Sequence, residues 1–247
     1  MLRRLILIVA IALVAAGVGR ARAETIQAAT VSWAPYYGAG LKDGGVVTAL
    51  ARAAFERAGH RMTVDFVPWD RAVTMAKRGD YDAVLGGYRS ESRGRYFHFS
   101  EPLYAIRVGL MARPDLGIAG YDSLDDLRGY RIGYNRGWTH GRAFARATAL
   151  DKQPVGEDRE LVRGLFDGTL DIVAMPRGIF RHEAGQLKRA RLDRVTFLDP
   201  PLRTTRLHMM FSRERADAPA LRDAFNAGLE AIRKDGTYAE ILADYGF

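Results

Sequence analysis

VLGGYRSESRGRYFHFSEPLY, Val84 to Tyr104, is a short apolar run followed by three arginines interleaved with aromatic residues. The run DAVLGG (residues 82–87) has the length and composition of a buried strand, so the arginines emerge just beyond that strand's end. Working backwards, Trp69 to Lys77 reads as a short helix introduced by Pro68 and closed by Gly79. Met62, Val64 and Phe66 alternate as in a strand with one buried face. VVTALARAAFERAG repeats Val46, Val47, Leu50, Ala54, Phe55 and Ala58 at helical spacing and ends on Gly59. Ile26 to Trp33 reads as the first strand. The order β-α-β-α-β predicts a parallel sheet with helices on both faces.

Working forwards, a second series begins after Pro114. Ser123 with Asp126 is a capping-box pattern for a single helical turn. YRIGY (130–134) reads as a strand, WTHGRAFARATA (138–149) and DRELVRGLFDG (158–168) as helices, and DIVAM (171–175) as a strand. Val195 to Leu198 and RLHMMF (206–211) read as two further strands. APALRDAFNAGLEAIRKDG (218–236) is a long amphipathic helix built on Leu221, Phe225, Leu229 and Ile232, and Thr237 to Tyr245 is a final helix. Two such α/β units predict two lobes of roughly 100 residues each. Ligands of open α/β sheets bind beyond the carboxyl ends of the strands, so a cleft between the lobes is the expected site.

The first residues belong to a different problem. Arg3 and Arg4, an uncharged run of 15 residues from Leu5 to Gly19, and RARAE with an Ala-x-Ala site have the order of a bacterial secretory signal peptide. The run falls short of the ~20 apolar residues that span a bilayer. Cleavage after Ala23 and residence in the periplasm are therefore expected. The absence of cysteine excludes a lipoprotein anchor and requires stability without disulfides. Removing residues 1–23 takes away four arginines and no acid, so the formal charge falls from +8 to +4. That excess, spread among 29 acids, is no concentrated basic stripe, and no nucleic-acid partner is expected.

The motifs together resemble the bacterial extracellular solute-binding proteins of family 3, the polar amino-acid type that feeds ABC importers, over nearly the whole mature chain. In that family an aromatic residue opens a helix ending in Gly-x-x-Asp, followed by a strand, an Arg and Phe-Ser-x-Pro-Tyr. Here these are Trp69, GDYD (79–82), Arg93 and FSEPLY (99–104), with six residues from Arg93 to Phe99. SLDDLRGYRIGYNRGW (123–138), LFDGTLDIVAM (165–175) and AFNAGLEAIRKDGTYAEILADYG (224–246) resemble later family segments. The resemblance implies an α/β, two-lobed periplasmic binding protein-like fold of type II. Each lobe is then a mostly parallel sheet flanked by helices, and two hinge strands join them, with RVGLMAR (107–113) and RLHMMFS (206–212) as candidates. Lobe 1 would comprise residues 24–110 and 208–247, and lobe 2 residues 111–207.

The resemblance also implies roles. Arg93 stands where the family holds the ligand carboxylate, a task suited to the two parallel N–H donors of a guanidinium. Ser90 stands where a loop amide or hydroxyl meets the same carboxylate, and Gly86 where a backbone carbonyl faces the ligand. Trp33, in SWAPYY (32–37), and Trp69 occupy the places of residues on either side of the ligand. Gly137, Trp138 and Thr139, in NRGWTHG (135–141), match a helix start that meets the carboxylate from the second lobe. Trp138 replaces a small residue, and Tyr88 replaces a Thr. Arg89, Arg95 and Arg107 carry no assigned role and are expected to be solvated.

One departure bears on the solute. Members that bind α-amino acids carry an Asp five residues after the strand Asp, to receive the ligand ammonium; counting from Asp171, that position is Pro176. A buried ammonium without a carboxylate is costly, so the expected solute has an anionic end and an aromatic or apolar body. The implied protein is a monomeric binding component for a small-molecule solute, handing it to an ABC-type membrane permease, with no catalysis, metal or cofactor. Two alternatives use the same fold. A dehydratase acting on cyclic carboxylic acids needs a general acid in the cleft, whereas Asp171 is followed by Met175, Pro176 and Arg177. A ligand-sensing subunit of a membrane receptor would act in trans.

Overall fold

The computed structural model describes residues 23–136, 139–188 and 192–247. The signal peptide expected at the N-terminus, Ala23 apart, lies outside them, as do Gly137 and Trp138. The strands are β1 (Thr25–Thr30), β2 (Arg61–Phe66), β3 (Ala83–Gly87), β4 (Phe97–Phe99), β5 (Tyr104–Ala112), β6 (Arg131–Asn135), β7 (Asp151–Val155), β8 (Ile172–Pro176) and β9 (Thr196–Ser212). The α-helices are α1 (Val46–Arg57), α2 (Trp69–Lys77), α3 (Glu91–Gly94), α4 (Arg142–Arg146), α5 (Asp158–Asp167), α6 (Arg177–Gly185), α7 (Ala218–Lys234) and α8 (Thr237–Asp244).

The strand order is β2-β1-β3-β9-β5-β8-β6-β7, with β4 also paired to β9. β1 is parallel to β2 and β3, and β6 is parallel to β7 and β8. Every pairing that involves β5 or β9 is antiparallel. Each lobe thus has a parallel outer part and meets the other through two long strands running side by side.

Helices cover both faces of each sheet, which is why the central strands are apolar without alternation. In β3, Ala83 and Leu85 face Phe55, Phe225 and Phe211, while Val84 faces the other way with Ala76, Phe97 and Met210. In β8, Val173 and Met175 join Leu161, Leu165 and Phe180, whereas Ile172 and Ala174 join Leu127, Ile132 and Phe144. α1 and α7 cross closely because of Gly228, where a Cβ would lie 2.0 Å from the Ala54 carbonyl oxygen.

The two Gly-x-x-Asp motifs do the same work in both lobes. Asp82 accepts the β1 amide of Gln27 at 2.7 Å and Arg215 Nη1 at 2.7 Å. Asp171 accepts the β6 amide of Arg131 at 2.9 Å, Arg131 Nε at 3.0 Å, and Arg113 Nη2 at 3.2 Å. Each carboxylate fastens the strand it begins to its parallel neighbour and supplies a partner for a guanidinium.

Four local expectations are revised. The helix expected over residues 138–149 is only Arg142–Arg146, preceded by Gly141 at φ 95°. His140 instead turns inward, its Nε2 3.0 Å from the Ala174 carbonyl oxygen, and packs edge-on against Tyr134. The strands expected at 195–198 and 206–211 are parts of one 17-residue strand, β9. Its partners on β5 shift from Arg203↔Val108 to Leu198↔Leu110, so DPPL (199–202) bulges out, a place where prolines need no ladder donor. β7 and α6 were not expected: β7 carries Pro154 and no apolar alternation, and α6 opens on Pro176 with Gly178 in its first turn.

Candidate functional site

β1 leads into a tight turn in which Trp33 N–H donates to the Tyr37 carbonyl at 2.6 Å and Tyr37 N–H returns to Trp33 O at 3.1 Å. Pro35 sits inside it, and the Trp33 ring is packed edge-on by Tyr36 at 4.9 Å and Tyr37 at 5.9 Å. The turn therefore presents an indole on a rigid aromatic base. Trp69 opens α2, half-buried against the Val84, Phe97 and Met210 cluster. At the end of β3, Gly86 takes φ 82°, and a Cβ there would lie 2.8 Å from the Tyr37 ring. Glycine is what lets that ring lie against the strand end.

These elements enclose a cavity of about 220 Å³ lined by Val31, Trp33, Tyr37, Trp69, Gly86, Tyr88 and Arg93. Arg93 is half-buried; its guanidinium lies 5.1 Å from the Trp69 ring centre, and its Nη1 donates to the Tyr88 carbonyl oxygen at 2.9 Å. Among the described residues no carboxylate pairs with it. Burial raises the hydroxyl pKa of Tyr37, and of Tyr88 despite the opposing charges of Arg203 and Arg93, so both rings are neutral. The cavity is thus apolar with a single guanidinium at its edge.

The other candidate residues are placed differently. Ser90 caps α3, its Oγ accepting Arg93 N–H at 3.3 Å, and it does not line the cavity. Thr139 is exposed and lies three residues before α4 rather than at its start. Pro176 is buried at the end of β8, opposite Val108. Arg89, Arg95 and Arg107 are exposed. Among the described residues no group of three or more His, Asp or Glu side chains is arranged to hold a metal.

Residues 28–247 match the sequence pattern that defines the bacterial extracellular solute-binding proteins, family 3. The chain belongs to that family. Its fold is the type II periplasmic binding protein fold of α/β lobes. ABC transporter arginine-binding protein 1 of Escherichia coli (strain K12) is 28% identical over 199 residues, which cover 78% of this chain and 77% of that protein. Substrate binding domain 2 of Lactococcus lactis GlnP, in an open conformation, superposes with a TM-score of 0.72 at 18% identity, covering 91% of this chain and 96% of that one. The L-cystine solute receptor of Neisseria gonorrhoeae, unliganded and open, gives a TM-score of 0.72 at 21% identity, covering 91% and 93%.

Family 3 proteins are extracellular binding components of amino-acid ABC transporters, so a small-molecule solute and a membrane permease follow from membership. Within the family-3 frame, Tyr37 and Val31 join the cavity, and neither is among the residues expected from the motifs. The signal for Tyr37 was the second tyrosine of SWAPYY, which completes the turn and covers Gly86. Val31 carried no signal beyond its place at the end of the first strand.

Proposed function

We propose that the protein captures a small carboxylate-bearing solute in the Trp33–Trp69 cavity and delivers it to an ABC-type permease in the periplasm, as a monomer. The carboxylate pairs with Arg93, and the apolar or aromatic body of the solute lies against the indoles. One observation carries this reading: a half-buried guanidinium without a carboxylate partner stands at the edge of an otherwise apolar cavity, 5.1 Å from an indole. A solute carboxylate supplies the missing counter-charge and uses the planar fork. The lobes, residues 24–110 with 208–247 and residues 111–207, then close over it, with Thr139 approaching from the second lobe. Closure shifts an existing balance of open and closed forms, and the permease reads the closed shape.

A polar amino acid is the second reading, favoured by the name of the Escherichia coli arginine-binding relative. Two indole faces attract a cation, but Pro176 brings no carboxylate to an ammonium. Calorimetry across L-arginine, other amino acids and aromatic carboxylates separates the two. The expected result is tight binding of a carboxylate lacking the α-ammonium, lost about 100-fold in Arg93→Ala, the worth of about two charge-assisted hydrogen bonds. Binding untouched by that substitution removes Arg93 from the site.

A further inference from the structure

A second cavity, of about 320 Å³, shares no lining residue with the first. Tyr36 contributes one wall, from the turn after β1, and the start of α6 contributes another. Gly178 keeps that helix start flat: a Cβ there would meet the Phe247 ring at 2.6 Å and the Tyr36 ring at 3.0 Å. β5 provides Tyr104 and Arg107, and α8 with the residues after it provides Tyr238 and Phe247. α8 packs on α1 and α7, while α6 packs on β5 and α5, so both lobes meet around this space.

The lining has two parts. Tyr36, Tyr104 and Phe247 form an aromatic wall, with ring centres 5.7, 6.0 and 6.1 Å apart. Arg107, Arg177 and Arg181 supply the polar side, and no carboxylate side chain lines the cavity. The Nη2 of Arg177 is already committed, donating to Leu198 O at 2.6 Å and to Asp199 Oδ1 at 2.8 Å, while its buried Nε has no partner among the described residues. Arg107 and Arg181 are exposed and form no ion pair among the described residues, and both charges act on the Tyr104 hydroxyl. Arg181 is steadied by Phe197, with its guanidinium 4.8 Å from the ring centre. Two uncompensated like charges beside a low-dielectric aromatic wall favour an anion between them.

We infer that this cavity is a second ligand site, separate from the one at Arg93, for a small aromatic carboxylate. Its ring lies on the Tyr36–Tyr104–Phe247 wall, and its carboxylate bridges Arg107 and Arg181. The three rings account for the flat apolar body, and the two guanidinium groups account for the charge.

The test is calorimetric titration of benzoate into the Arg93→Ala protein, in which the first cavity lacks its cation. Acetate and benzyl alcohol serve as the charge-only and ring-only probes. Benzoate is expected to bind this variant at one site and at least about tenfold more tightly than either probe. Adding Arg107→Gln or Arg181→Gln should weaken it about tenfold each, the worth of one charge-assisted hydrogen bond. Both arginines are exposed, so the fold should survive, and unchanged circular-dichroism melts verify that. The inference fails if benzoate does not bind the Arg93→Ala protein, or if its affinity there is unchanged by the two glutamine substitutions. Loss of benzoate binding through Arg93→Ala alone would assign benzoate to the first cavity, overturning this inference while supporting the proposed function.

Discussion

Asp82 and Asp171 occupy equivalent places in the two lobes, each accepting an amide from the parallel neighbour of the strand it begins, yet their cationic partners differ. Arg215, which serves Asp82, also holds Glu24 at 2.6 Å and Asp217 at 2.6 Å. Asp171 instead receives three donors of Arg131, including its main-chain amide, and a contact from Arg113. In the first lobe the shared hub is the arginine; in the second it is the carboxylate. Removing the acid should therefore hurt the second lobe more, because two guanidinium groups lose a partner at once. Among the described residues Arg113 then keeps the exposed Asp115 and Arg131 only the Gly168 carbonyl, whereas Arg215 retains both Glu24 and Asp217.

That asymmetry gives the largest expected effect. Asp171→Ala should lower the unfolding free energy by about 2–3 kcal/mol, the worth of the main-chain amide contact and of ion pairs screened on the exposed Arg131 side. Asp82→Ala should cost about 1–2 kcal/mol, the worth of its amide contact and a replaceable pair. Urea unfolding of both variants measures this, and equal losses would break the comparison. The Arg131 hydrogen bonds hold the Asp171 carboxyl below the usual carboxylate range. Its contribution is therefore complete above about pH 4, the unfolded value, and is lost as pH falls through the lower folded value. The stability gap between the protein and Asp171→Asn should be flat from neutral pH to about pH 5 and then close in acid; a gap that widens on acidification contradicts the assignment.

The same contrast explains what could be read from the sequence. Gly-x-x-Asp stands directly before a buried strand in each lobe, at 79–82 and 168–171, because both lobes must fasten parallel strands, and residues demanded by the backbone carry short, regular signals. α2 spans the range expected from its pattern, Trp69 to Lys77, and Asp126 accepts the Ser123 amide at 2.9 Å, as the capping-box pattern requires. In the first lobe, Trp33, Trp69 and Arg93 were singled out from their places in the order of motifs, and they meet at one cavity. The second lobe was harder to read. Whether NRGWTHG starts a helix depends on His140, which leaves the helical path for the Ala174 carbonyl, a partner 34 residues away. β7 was hidden because an edge strand needs neither alternation nor a full set of donors. The second cavity is assembled from four separate stretches of chain, so no local pattern could announce it.

A smaller effect tests whether the first-lobe cavity reads shape as well as charge. Arg93→Lys keeps the positive charge and loses the planar fork, so solute affinity should fall about tenfold, between the wild-type protein and Arg93→Ala. Calorimetry with the bound solute measures it, and an unchanged affinity would mean that a point charge suffices.

The smallest expected effect lies at Pro176, where the second lobe departs from the amino-acid-binding pattern. Pro176 has φ −61° and ψ 125°, a conformation open to aspartate, and it precedes α6, whose start has no side-chain cap. Aspartate is a favoured residue at that position, accepting an amide of the first turn, and this contact opposes the cost of placing a carboxylate at a buried site, so Pro176→Asp should leave stability within about 1 kcal/mol of the unaltered protein. The carboxylate would also stand where relatives meet a ligand ammonium, and L-arginine should bind a few-fold more tightly than to the unaltered protein, within about 1 kcal/mol. The nearby Arg177 competes for it, because its Nη2 serves Leu198 O and Asp199 while its buried Nε has no partner among the described residues, which keeps the expected gain small. Paired thermal melts and calorimetry separate the two consequences. A variant that changes in stability without gaining arginine shows that Pro176 matters to the helix alone and removes position 176 from the account of selectivity.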